Sequence, residues 1–106
     1  MPFITIYSTK EISLKKDFIE ELRKTSAQAF TCKESKIYEH DFSIIHHVLE
    51  SAQLSREIEI RITAHNFPSR IKRIDEIASS IQSAMEGIPW GQVKVFVFLI
   101  PIGMRG

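Results

Sequence analysis

The stretch MPFITIY, Met1 to Tyr7, decides how the rest of the chain is read. Phe3 to Tyr7 is short and rich in β-branched and aromatic residues, the pattern of a strand. Pro2 stands directly ahead of it. A proline has no N–H to give a ladder, so it is tolerated at the first residue of a strand and there simply marks a beginning. A second reading exists. With Met1 removed, Pro2 is the chain terminus and its ring nitrogen is a free secondary amine. One reading makes Pro2 punctuation; the other makes it chemistry.

Working outward, STKEIS is a turn-like connection, and Ser13 can cap a helix in which Leu14, Phe18, Leu22 and Ala29 recur at helical spacing. That helix carries Lys and Glu on its other face and is expected to end near Phe30. KESKIYEHD is polar and follows no single period. FSIIHHVLE (Phe42 to Glu50) reads as a second strand. In EIEIRIT, Ile58, Ile60 and Ile62 share one face, and Glu57, Glu59, Arg61 and Thr63 share the other. Pro68 suits a first helical turn, with Asn66 or Phe67 near the cap. Ile71, Ile74, Ala78, Ile81 and Met85 then form one apolar stripe, and Gly87 and Pro89 stop the helix. QVKVFVFLI is the last strand. Val93, Val95, Val97 and Leu99 face one way; Lys94, Phe96, Phe98 and Ile100 face the other.

The order is therefore β-α-β-β-α-β, with two halves of matching layout. No linker separates them, so residues 1–106 are expected to form a single domain. The fold class is α/β (α+β): two β-α-β units build one four-stranded sheet, each unit a crossover joining parallel strands, with two helices on one face. The other face also carries apolar residues, Phe96 and Phe98 among them. Two helices cannot cover both faces, so other subunits are the expected cover.

Composition narrows the function classes. In 106 residues, 43 % are hydrophobic and 25 % charged, an ordinary globular balance. A formal net charge of +1 gives no electrostatic case for nucleic acid or a membrane surface. The apolar run VFVFLIPIGM is too short to span a bilayer. Cys32 is the single cysteine and cannot form an internal disulfide. It reads as a small, buried or half-buried hydrophobe. With no secretory segment visible, the expected compartment is cytoplasmic.

Among candidate sites, a terminal Pro2 amine in an apolar pocket would be pushed toward neutrality by desolvation, and could then take a proton from carbon next to a carbonyl. His46 and His47 point to opposite faces of a strand and cannot chelate one metal together, so no metal site is expected. His65 lies in the loop before the second helix, as an exposed loop histidine or a functional one. Arg70, Lys72 and Arg73 cluster in that helix's first turns, where cations oppose the helix dipole. They read as a solvated face, or as the seat of an anion or carboxylate. Trp90 reads as a cap on one end of the core. The chain has no glycine-rich phosphate loop.

Taken together, PFITIY at the start, DFIEELRKTSAQAF in the first helix and QVKVFVFLIPIGMRG at the end resemble the tautomerase superfamily. The layout is similar to the two-repeat subunits of macrophage migration inhibitory factor and 5-carboxymethyl-2-hydroxymuconate isomerase, and the tail to 4-oxalocrotonate tautomerase subunits. The resemblance spans nearly the whole chain. It implies a homotrimer with sheets wrapped into a barrel and the N-terminal proline at a subunit interface. It also implies keto–enol chemistry on a small keto or enol acid, without metal or cofactor. Carried over, Pro2 matches the general base. Lys33 lies near a basic position after the first helix, and Phe96 near a pocket position on the last strand. The chain departs from the pattern where oxalocrotonate-type members hold a substrate carboxylate with arginine: Lys10 is a rough stand-in there, and Asn66 occupies the corresponding stretch of the second half. If Met1 is retained, the Pro2 nitrogen is an amide and no base. The alternatives are then a non-catalytic ligand-binding module of ferredoxin-like topology, or an assembly protein that kept the trimer without the chemistry. RNA-binding modules share the element order, but the chain lacks their aromatic motif on the central strands.

Overall fold

The computed structural model describes residues 2–9, 16–50, 58–86 and 92–101. Ser13, Lys10, Gly87, Pro89 and Trp90, to which the sequence assigns capping, binding and stop roles, lie outside the described residues. The elements are β1 (Phe3–Thr9), α1 (Lys16–Phe30), a 3-10 turn (Glu39–Asp41), β2 (Ser43–Leu49), β3 (Ile58–His65), α2 (Pro68–Lys72), α3 (Ile74–Glu86) and β4 (Val93–Ile100).

The strands form one sheet in the order β2-β1-β3-β4. β1 and β2 are parallel neighbours, as are β3 and β4, and β1 meets β3 antiparallel in the middle. Exchanging the two halves leaves this order unchanged, so the repeat seen in the sequence is a pseudo-twofold in space. It also excludes the ferredoxin-like alternative, whose split β-α-β places another strand between β1 and β2.

Alternation along the strands sorts the side chains. Ile4, Ile6, Ile58, Ile60, Ile62, Ala64, Val93 and Val95 point to the helical face and are buried. Phe18, Leu22, Ala29 and Phe30 of α1 and Ile77, Ile81 and Met85 of α3 close over them as a single core. The opposite face is open. Phe3, Ile45, Phe98 and Ile100 stand there about half exposed, forming an apolar region at one end. Toward the other end, Arg61 lies over the Tyr7 ring at 4.7 Å, Tyr7 stacks on His47 at 5.3 Å, and Arg61 pairs with Glu59 at 3.2 Å.

Two expectations need correction. The second helix is not continuous. It breaks at Arg73, whose N–H returns to the Arg70 carbonyl at 3.1 Å, a tighter i−3 turn, before α3 resumes. The buried stripe also differs from the expected one: Ile71 is 52 % exposed, while Arg70 is 2 % exposed and occupies the inward position.

Local bonds fix the connections. Arg23 Nη1 donates to the carbonyls of Glu39 (3.1 Å) and Phe42 (2.7 Å), tying the 3-10 turn and the start of β2 to α1. Gln82 of α3 reaches the outer edge of β4. Its amide donates to the Val93 carbonyl and its Oε1 accepts from the Val95 N–H at 2.8 Å, so part of that edge is satisfied from within the chain. No described helix is long and apolar enough to cross a membrane.

Candidate functional site

Pro2 is buried at the head of β1, an inner strand. Its carbonyl accepts the Ser43 N–H at 3.2 Å, which locks it to the start of β2. The antiparallel register ends with Phe3 paired to Thr63, and one further step of the same register would set Pro2 opposite Ala64, one residue before His65. Both neighbours of β1 therefore flank Pro2. The start of β2 lies on one side, and the end of β3 on the other.

The remaining groups at this end are built on the chain reversals. α1 ends at Phe30, and its last carbonyls need donors from outside the helix. Thr31 Oγ1 donates to the Ala27 carbonyl (2.9 Å) and accepts from the Ile37 N–H (3.0 Å). Arg70 Nε donates to the Phe30 carbonyl at 2.9 Å, and its Nη1 to the His65 carbonyl at 3.1 Å. The guanidinium lies over the rings of Phe67 (5.0 Å) and Phe30 (5.7 Å). Arg70 thus joins the end of α1 to the end of β3, next to Pro2. Its Nη2 is buried and has no acceptor among the described residues. Burial pulls the Arg70 guanidinium below its ordinary pKa, and the neighbouring Cys32 and Glu34 act in the opposite direction.

Lys33 sits at the tip of the turn closed by reciprocal backbone bonds between Cys32 and Ser35 (2.9 and 3.1 Å), and its side chain is exposed. Beside it, Glu34 accepts the Ser69 N–H at 3.3 Å. Hydrogen bonding from Ser69 holds the Glu34 carboxyl far below the usual range, at about 2, against a smaller opposing effect of desolvation. Phe96 lies elsewhere within the chain. It is half-buried on the open face of β4, in register with Arg61, which in turn pairs with Thr5. One chain therefore brings Lys33 and Arg70 to the Pro2 end of the sheet but leaves Phe96 two strands away.

The histidines separate as expected. His46 turns to the helical side, where Ser8 Oγ lies 2.6 Å from its Nε2, and His47 stacks on Tyr7 on the open face. Ser8 is fully buried, which denies a substrate access to its hydroxyl. Among the described residues no three His, Cys, Asp or Glu side chains gather in a way that could hold a metal ion. An open pocket against α1 is lined by Asp17, Glu20, Glu21, Lys24 and Glu39. Its four carboxylates would repel an anionic substrate.

Solved structures with this arrangement settle the fold. A fused 4-OT wild-type asymmetric trimer superposes with a TM-score of 0.59 at 13 % identity, covering 98 % of this chain and 93 % of that one. Pt0534, solved after inactivation by 2-oxo-3-pentynoate, superposes with a TM-score of 0.57 at 17 % identity over 98 % and 93 % of the two chains. A macrophage migration inhibitory factor-like protein from Entamoeba histolytica gives 0.56 at 10 % identity over 94 % and 89 %. The chain has the tautomerase fold. No protein-family model matches it, and no curated protein matches it by sequence. The likeness therefore lives in topology, which the β2-β1-β3-β4 order carries, rather than in shared letters.

The sequence reads Arg70 as part of a cation cluster, either a solvated face or the seat of an anion, and the structure buries it instead. The signal for its burial was available in the letters. On an ideal helix turning about 100° per residue, Arg70 falls about 20° from Ile81, while Ile71 falls about 80° away. By helical phase Arg70 belongs to the buried stripe, and its charge alone points the other way.

Proposed function

We propose that the protein is a cofactor-independent tautomerase of a small keto or enol acid, acting as a cytoplasmic homotrimer through the Pro2 amine once Met1 is removed. The single-domain reading of residues 1–106 belongs to this proposal. The observation that carries it is the setting of Pro2 in the tautomerase fold: buried at the head of an inner strand, fixed by Ser43 and flanked by β3. Burial disfavours the charged form of an amine, so the Pro2 nitrogen is a base near neutral pH. The step is proton removal from the carbon next to a carbonyl, with negative charge developing on the carbonyl oxygen. The site needs a cation for the substrate carboxylate. Lys33, exposed on the turn, supplies one, while the almost wholly buried Arg70 acts from behind by fixing the ends of α1 and β3. Phe96 contributes from a neighbouring subunit, since its own chain holds it away from its own Pro2. The half-exposed Phe3, Ile45, Phe98 and Ile100 supply apolar area for that contact.

The test has two parts. Intact mass establishes whether Met1 is removed, and 2-oxo-3-pentynoate should add its mass to the N-terminal peptide. Enol–keto conversion of phenylpyruvate should then fall by about 10²–10⁴ in Pro2→Ala, the usual contribution of a positioned base. Equal rates in both proteins, with Met1 absent, would reject the catalytic role. The second reading, a non-catalytic binding or assembly module, is favoured by one outcome alone: retained Met1 with no turnover, because an acylated proline nitrogen has no basic lone pair.

A further inference from the structure

We infer that His65 is the second proton-transfer group of the Pro2 site, serving the carbonyl oxygen while Pro2 serves the carbon. The inference rests on the Pro2 reading above and deepens it. It starts from register. Phe3 pairs with Thr63 in the antiparallel β1–β3 ladder, so Pro2 comes opposite Ala64 and His65 follows at once. The ring nitrogen of Pro2 precedes its own Cα in the chain, on the side toward His65 rather than toward Thr63. Directly opposed Cα atoms lie about 4.5–5.5 Å apart, and His65, one residue past Ala64, turns its side chain to the open face of the sheet rather than to the core face that Ala64 takes. A small keto acid bound on that face would set the carbon next to its carbonyl at the amine and its carbonyl oxygen at the imidazole.

The second observation is that His65 is held. Its carbonyl accepts Arg70 Nη1 at 3.1 Å and the Phe67 N–H at 3.0 Å. Its ring meets the Phe67 ring edge-on, with centroids 4.5 Å apart. Its residue is half-buried, so it is positioned and still reachable. Arg70 holds this backbone with a guanidinium that is itself almost wholly buried. The chain thus places a fixed imidazole, able to give and take a proton, one residue beyond the partner of the proposed base.

The step balances without a co-reactant. In the keto-to-enol direction, a C–H bond of the substrate breaks and its proton goes to the Pro2 nitrogen. The electron pair forms the C=C bond, the carbonyl π pair moves to oxygen, and oxygen takes the proton of a protonated His65. Pro2 then releases its proton to water, and His65 regains one from water. Nothing is oxidised or reduced.

The experiment uses the full chain with Met1 removed and phenylpyruvate as substrate. His65→Gln should lower kcat about 10²-fold or more, as expected for loss of a general acid–base group. KM should change less than about threefold, because a transition-state contact is lost and ground-state binding is not. In His65→Gly, added imidazole should restore at least about tenfold of the lost rate, which a purely structural role would not show. Complete labelling of Pro2 by 2-oxo-3-pentynoate in both variants, at whatever rate, shows that the amine and the fold are intact. Labelled variants that keep wild-type kcat would overturn the role of His65 and leave Pro2 standing. A wild-type protein that neither labels at Pro2 nor loses rate in Pro2→Ala would overturn both.

Discussion

Arg70→Met is the substitution on which the structure makes its firmest statement. Methionine keeps a long unbranched chain between the rings of Phe30 and Phe67 and removes the guanidinium. The Phe30 carbonyl at the end of α1 loses its donor, and the His65 carbonyl at the end of β3 loses one of two, keeping the Phe67 N–H. A buried polar group left unpaired costs about 1–3 kcal/mol and a lost hydrogen bond to a charged donor about 1.5–3 kcal/mol, so the two together cost about 2.5–6 kcal/mol. Against this, the variant no longer buries a charge, nor an Nη2 that lacks an acceptor among the described residues, which returns about 1–3 kcal/mol. The net expectation is a loss of about 2 kcal/mol. A chain of this size has a urea slope of about 1–1.5 kcal/mol per molar, so the midpoint should fall by about 1.5 M with the slope unchanged. Urea titrations followed by circular dichroism, at one protein concentration because an oligomer's stability depends on it, make the comparison. A variant as stable as the wild type, or more stable, would refute the reasoning. It would place Arg70 among those buried charges that hydrophobic residues replace without loss.

Other measurements follow from named contacts. Burial, and secondarily the neighbouring His47, lowers the His46 pKa, so the unfolded chain takes the proton more readily. Stability tied to His46 is therefore complete above about pH 6.5 and declines as pH falls through and below it; urea midpoints at pH 7.5 and 5.5 should differ more in wild type than in His46→Gln. Phe98→Glu puts a charge into the half-exposed apolar end of the open face and should shift a trimer to monomer by light scattering at micromolar concentration. An unshifted trimer would assign the subunit contact to another surface.

Element type and order were legible because each strand and helix announced its period. Ile58, Ile60 and Ile62 alternate with polar residues, and all three are buried on the helical face. Strand adjacency was not legible. β-α-β-β-α-β describes a ferredoxin-like sheet equally well, and only the pairing of β1 directly with β2 separates the two. That pairing is a long-range choice, made where the crossover helix lands on the sheet, and no local run of residues encodes it. The missed break at Arg73 has a related cause. Its signal is a backbone turn without glycine or proline, and side-chain periodicity cannot see it.

The site was legible in proportion to how local its parts are. Pro2 was readable as a candidate because a terminal amine depends on chain position alone. Arg70 was hidden because its charge points to solvent while its helical phase points to the core, and a guanidinium can be buried wherever helix ends leave carbonyls open. Its partners show the logic: Phe30 closes α1 and His65 closes β3, forty and five residues away from Arg70 along the chain. The same two bonds that stabilise these ends also fix the backbone beside Pro2. A lost Arg70 would therefore loosen the geometry of His65 before it unfolded the sheet. In Arg70→Met, phenylpyruvate turnover should fall even at urea concentrations where the circular dichroism is still that of the native chain.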